Sequence, residues 1–241
     1  MNTIKPNWPA LPHIKAYTTL RHAWGVKLTE VNQGHFSKNN PKCMEDSRCL
    51  EALLGLPEEP IWMTQTHSTT VILASPENKE QVADASYTNE PNRVCVVTTA
   101  DCLPILLCNK QGTYVSAIHA GWRGLSNGII EATVNTLRLP ASDLLVWLGP
   151  AIGPKKFEVG QDVYDAFVLK HKESAAAFVP ISQSKWLANL YELAKIRLRL
   201  QGVLNIYGGD FCTHTEEDLF FSYRRNKAQT GRMASVIWIN K

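Results

Sequence analysis

The pair Asp101-Cys102 and the residue His119 lie within one stretch, Thr98 to Gly124, that reads TTADCLPILLCNKQGTYVSAIHAGWRG. A thiolate and an imidazole are good ligands for a borderline-soft ion such as zinc, and strand ends hold ligands rigidly enough to fix coordination geometry. His67, in Gln65-Thr66-His67-Ser68, is the best candidate for a third ligand, although a lone histidine there is more often a turn residue satisfied by a neighbour. Three protein ligands leave zinc a fourth position, where water loses a proton near neutral pH or a substrate oxygen is polarised. Asp101 or Asp84 would then act as a base, or would orient a ligand histidine through its second ring nitrogen. The three ligands are spaced far more widely than the tight pairs of zinc fingers, so the fold must bring them together, as it does in catalytic sites.

Several elements have to position these groups. Val94–Thr98, Ile105–Cys108 and Tyr114–Ala120 are apolar, strand-like runs that end at the reactive residues. Ile61–Gln65 and Thr70–Leu73 are β-rich runs interrupted at His67, which places that residue in a tight turn or bulge. Asp84 precedes the central strands, as a turn residue or as a group pointing into the same site. After Arg123-Gly124, Ser126 is placed to cap a helix that carries Ile129, Ile130, Thr133, Val134 and Leu137 and ends before Pro140. Arg123, leading into that helix, either completes an anion pocket with free backbone N–H groups or pairs with a carboxylate. Arg224, Arg225 and Arg232, with serine and threonine hydroxyls near one turn, suit a phosphate, and a solvated basic turn has the same composition.

Elsewhere, Tyr17–Leu20 and Val26–Leu28 read as short strands, Cys43–Leu54 as a helix stopped by Gly55, and Leu144–Leu148 as a buried strand. Asp162 to about Lys170 and Ser184 to Leu200 read as helices, and Asn205–Tyr207 and Ala234–Ile239 as strands. The 241 residues, 44% hydrophobic and 20% charged, are ample for one α/β domain spanning 1–241 and exclude a disordered or fibrous class. A net charge of +3 with scattered basic residues gives no case for a nucleic-acid partner. The proline-punctuated N-terminus lacks the apolar core of a signal peptide, and no run approaches the roughly 18 apolar residues of a membrane span. Six unclustered cysteines fit free thiols or ligands in a reducing, cytoplasmic setting.

TTADCLPILLC, AIHAGWRG, WLGPAIGP and FFSYRRNKAQTGRMAS, with the earlier QTHS and ADASY, closely resemble the laccase-domain or polyphenol-oxidase-like family. That family includes bacterial purine nucleoside phosphorylases and the peptidoglycan editing factor, and the resemblance runs from about Trp62 to the C-terminus. It implies a single α/β domain with a mixed β-sheet core flanked by helices. It also implies a zinc, or a copper in the same place, held at strand ends by His67, Cys102 and His119 in a cleft open to solvent. The implied chemistry is phosphorolysis of adenosine, inosine, guanosine or methylthioadenosine to base and ribose 1-phosphate, and deamination of adenosine. Arg123 and the C-terminal arginines would hold phosphate in line with C1′. The N-terminal third departs from the family pattern, so Arg21, His35 and Arg48 carry over to the substrate rim only by position.

The partners expected are small purine nucleosides and phosphate, with no nucleic acid and no membrane, and a monomer or weak homo-oligomer. Two other activities fall within the resemblance: removal of wrongly built muramoyl-amino acid precursors, and copper-dependent oxidation of phenols. Against the latter, multicopper chemistry needs many more clustered histidines than the seven present. A non-enzymatic module stapled by zinc is the remaining alternative.

Overall fold

The computed structural model describes residues 3–22 and 41–241, with only the backbone described for residues 41–43 and 228. The strand expected at Val26–Leu28 and the residue His35 lie outside the described residues. In chain order the strands are β1 (Thr3–Ile4), β2 (Ile14–Thr19), β3 (Val71–Leu73), β4 (Ala85–Thr88), β5 (Cys95–Thr99), β6 (Leu103–Asn109) and β7 (Val115–Ala120). They continue as β8 (Leu144–Leu148), β9 (Glu158–Gly160), β10 (Phe178–Ser182), β11 (Lys185–Ala188), β12 (Asn205–Gly208) and β13 (Met233–Ile239). The helices are α1 (Pro41–Leu54), α2 (Trp122–Asn127), α3 (Ile129–Leu137), α4 (Gln161–Val168), α5 (Leu190–Leu200) and α6 (Tyr223–Asn226).

Two sheets make the frame. One has the order β1-β2-β13-β5 and the other β12-β8-β6-β7-β4-β3, with β10-β11-β9 as a small third sheet. The six-stranded sheet is mixed: β12 runs parallel to β8 and β3 parallel to β4, while β4, β6, β7 and β8 pair antiparallel. Alternation along each strand sorts side chains onto opposite faces. Cys95 and Val97 of β5 join Leu106 and Cys108 of β6 in a core between the sheets. Val94, Val96, Val236 and Trp238 face the other way and pack with Leu50 of α1, whose Ser47 hydroxyl accepts a hydrogen bond from Trp62 Nε1 at 3.1 Å. Ile105, Leu107, Ile118 and Val146 form the far face of the six-stranded sheet with residues of α3, α4 and α5. Helix, sheet, sheet and helices thus stack as four layers.

Gly55 takes φ +60° directly after α1, as a helix-terminating glycine should. Ile61–Gln65, expected as a β-rich run, makes only isolated bridges, because Ile61 pairs with Cys95 and Thr64 with Val82 on different neighbours. Two helix starts also differ from the sequence expectation. Lys185–Ala188 is a strand paired on both sides, with β10 and β9, so the helix expected from Ser184, α5, starts only at Leu190. Asn189 caps it by accepting from the Glu192 N–H at 3.1 Å. Ladder pairing on two edges outweighs the helical spacing of Leu187 and Leu190. Ser126 does not cap a helix either: α2 already starts at Trp122, Gly128 at φ +105° separates it from α3, and the Ser126 hydroxyl donates to the Arg123 carbonyl at 3.0 Å.

Candidate metal centre

The site forms where the chain steps from one sheet to the other. β5 belongs to the four-stranded sheet and β6 to the six-stranded one, and Ala100-Asp101-Cys102 makes the crossing in three residues. His119 arrives on the neighbouring strand, β7, where it stands opposite Pro104 at the start of β6. His67 lies in the turn between Thr66 and Ser68 at φ +64°, a left-handed conformation that is uncommon outside glycine.

One buried carboxylate organises two of these three groups. Asp84 is fully buried and accepts from three successive backbone N–H groups, Thr66 at 3.2 Å, His67 at 3.0 Å and Ser68 at 2.6 Å, as well as from the Ser68 hydroxyl at 2.7 Å. Consecutive N–H groups converging on an anion form a nest, and here the nest fixes the His67 turn. The other Asp84 partner is His119 Nδ1, at 2.7 Å. That bond sets the tautomer and leaves Nε2 of His119 to face the other ligands. Asp84 is therefore placed as an orienting group, enclosed by its own donors.

The ligand atoms of His67, Cys102 and His119 all lie within 4.8 Å of one another, with Cys102 Sγ at 3.6 Å from His67 Nε2. Gly121, two residues after His119, makes room for them. A Cβ at that position would stand 2.4 Å from His67 Cδ2 and 3.0 Å from Cys102 Sγ.

Charge in the cluster is strongly coupled. Burial alone would raise the Cys102 thiol, but the charge and hydrogen bonding of His119, with help from His67, bring it down to about 6. Burial would lower His119, and the Cys102 thiolate and the Asp84 carboxylate outweigh it and lift the ring to about 9. Asp84, also resisted by burial, is held at about 2 by its bonds to His119 and Ser68. An anionic sulfur beside two imidazoles, one of them backed by a carboxylate, is a donor set that suits a zinc- or copper-like ion.

Above the cluster opens a cavity of about 420 Å³, within the range of roughly 300–1,000 Å³ found for small-molecule sites. Arg123, Arg224 and Arg232 line it together with the aromatic rings of Trp122, Phe157 and Tyr223. The Arg123 guanidinium lies 4.4 Å from the Trp122 ring centre, and no carboxylate pairs with it among the described residues. Arg224 sits 5.5 Å from the Phe157 ring and donates to the Glu158 carbonyl at 3.0 Å. Arg232 is 6.0 Å from the Tyr223 ring, and its burial presses its pKa below the ordinary value against the pull of Cys102 and Asp101.

Three of the arginines considered from sequence are elsewhere. Arg48 is exposed on α1 and does not line the cavity. Arg225 spends its guanidinium on the carbonyls of Thr213, His214 and Phe220 at 2.8–2.9 Å, pinning a loop. Arg21 pairs with Glu217 at 3.2 Å and lines a separate, smaller cavity. Conversely, Gln65, Trp122, Phe157 and Tyr223 line the cavity without having been singled out from sequence. Gln65 brackets Thr98 of β5, accepting from its N–H at 2.8 Å and donating to its carbonyl at 2.9 Å, which ties the His67 segment to the strand end. A glutamine used as a backbone clamp carries no sequence signal.

The family model described as multi-copper polyphenol oxidoreductase laccase matches residues 16–240. The chain belongs to this family. Relatives of this laccase-like protein include a Haemophilus influenzae protein named purine nucleoside phosphorylase, 48% identical over 99% of both chains. The Escherichia coli protein named purine nucleoside phosphorylase YfiH is 46% identical over 98% of both chains. Among solved structures, a Neisseria meningitidis protein superposes with a TM-score of 0.88 at 39% identity over the whole of both chains. YlmD from Geobacillus stearothermophilus, at 24% identity and a TM-score of 0.85, shares the fold. Among the described residues, no helix of the laccase-like chain is long and apolar enough to cross a membrane.

Proposed function

We propose that this chain is a metal-dependent purine nucleoside phosphorylase, which splits adenosine and related purine nucleosides with phosphate and also deaminates adenosine. The names of its relatives support the phosphorylase reading. The observation that carries it is the cavity itself, in which a His–Cys–His cluster at the floor faces three guanidiniums and three aromatic rings at the wall.

In this reading His67, Cys102 and His119 hold a zinc ion, with copper as the alternative occupant. A metal so held supplies Lewis-acid polarisation of a water or substrate oxygen. The rings of Trp122, Phe157 and Tyr223 offer faces on which a flat purine stacks. Arg123, Arg224 and Arg232 hold the phosphate, whose oxygen forms the new bond to C1′ as the glycosidic bond to the base breaks and the base nitrogen takes up a proton. Asp84 keeps His119 in one tautomer throughout. Deamination would use the same floor, water replacing the amino group at C6 and ammonia leaving. Arg225 and Arg48 have no part in this reading, because neither reaches the cavity.

The test follows adenosine with the zinc-loaded protein, separating adenine, inosine and hypoxanthine by chromatography, with His119→Ala as control. Adenine formed only with phosphate, and inosine formed without it, both lost in the variant while its circular dichroism is unchanged, are the expected results. No product from any purine nucleoside would sink the proposal and turn attention to muramoyl precursors as substrates of the same arginine-lined cavity.

A further inference from the structure

The turn that carries Cys102 and the wall that carries Arg224 are joined by one side chain. Asp101, in the middle of the three-residue crossing, takes φ +95°, a strained conformation for a non-glycine residue that persists only when its surroundings enforce it. Its three acceptor oxygens reach three separate segments. Oδ1 accepts from Thr213 Oγ1 at 2.6 Å, Oδ2 accepts from the Arg224 backbone N–H at 2.6 Å, and the main-chain carbonyl accepts from the Ile152 N–H at 3.0 Å. Thr213 is itself fully buried, and Ile152 and Arg224 both line the cavity. A carboxylate acting as a base must present an oxygen to the substrate proton. Both oxygens of Asp101 are instead aimed at short donors on other segments.

We propose that Asp101 is a positioning residue: it latches the Cys102 turn and the start of α6 into one frame, setting the thiolate and the Arg224 guanidinium at a fixed separation across the cavity. It transfers no proton. The inference rests on the metal-site reading above, and it is tested by metal affinity, which needs no nucleoside.

Asparagine separates the two roles. In Asp101→Asn the carbonyl oxygen can accept from the Arg224 N–H while the amide donates to Thr213 Oγ1, so both ties survive, but an amide takes no proton from a substrate. Asp101→Gly removes both ties while relieving the backbone strain, and it serves where Asp101→Ala fails to fold. Zinc affinity of the full chain is measured by chelator competition, alongside turnover of adenosine and the KM for phosphate. The expected result is Asp101→Asn within about threefold of the unmodified protein in affinity and turnover. Asp101→Gly should be weaker for zinc by about tenfold or more, the range seen when supporting partners of metal ligands are removed, with a raised phosphate KM.

Asp101→Asn that keeps its zinc affinity but loses turnover would make Asp101 a proton-transfer base and overturn the proposal. So would Asp101→Asn as weak for zinc as Asp101→Gly, an Asp101→Gly that binds zinc normally, or an unmodified chain that takes up no zinc. An unmodified protein that binds zinc but turns over no nucleoside defeats the proposed reaction alone, since the affinities still decide the role of Asp101.

Discussion

At the level of single residues, Asp84 and Gly121 act by what they enforce on the His67–Cys102–His119 cluster. The Asp84 carboxyl titrates at about 2 in the folded chain against 3.8 ordinarily. Its contribution to stability is therefore complete above about pH 5 and is lost as pH falls from there through 2. Denaturant titrations of the metal-free protein between pH 2 and 6 should show this loss. Asp84→Asn should lack that component and be less stable by about 3 kcal/mol at pH 7, because a buried imidazole and three backbone donors lose their anion. At Gly121 the new Cβ of Gly121→Ala falls on the His67 ring, so the ring must leave its place. Zinc affinity should drop about tenfold or more, read by chelator competition, with adenosine turnover lost in parallel.

At the element scale, the site depends on strands and helices starting where they do. β11 occupies four residues that carry helical spacing, and the helix behind it is launched by Asn189. Asn189→Ala should cost about 1 kcal/mol, a fall of roughly 2–4 °C in Tm for a chain of this size. Zinc binding should be unchanged, since α5 packs on the far face of the six-stranded sheet and lends no ligand to the cluster. The single helix expected from Ser126 is two, α2 starting at Trp122 and α3 at Ile129, and the early start of α2 brings Arg123 into the first turn of a helix and over the Trp122 ring.

At the scale of the whole molecule, four stacked layers supply stability that owes nothing to a metal. Residues such as Leu106, Leu107, Ile118 and Trp147 are essentially sealed from solvent, each burial worth about 1.5–3 kcal/mol. Chelation should therefore abolish nucleoside turnover while far-UV circular dichroism stays native and activity returns on adding zinc. Unfolding on metal removal would instead mark a structural staple. The same layering explains how His67, Cys102 and His119, scattered along the chain, meet: β5 and β6 sit in different sheets, and their connection reaches the end of β7, where His119 pairs with Pro104.

The apolar strands β5 to β8, β12 and β13, the stop of α1 at Gly55, and the reactive types His67, Cys102 and His119 were legible in the chain alone, because periodicity and side-chain chemistry are local properties, whereas the short β1 and the interior β4 were not. Whatever depends on distant groups was set by the folded arrangement. It turned Asp84 inward as the shared anchor of His67 and His119 and closed Asp101 with donors from Thr213 and Arg224. It drew Arg232 to the cavity while spending Arg225 on a loop, although the two are close in sequence and identical in type. Gln65 shows the limit most directly: its partner is the backbone of Thr98, which offers the same N–H and carbonyl as any other residue, so no pattern in the chain announces the pairing.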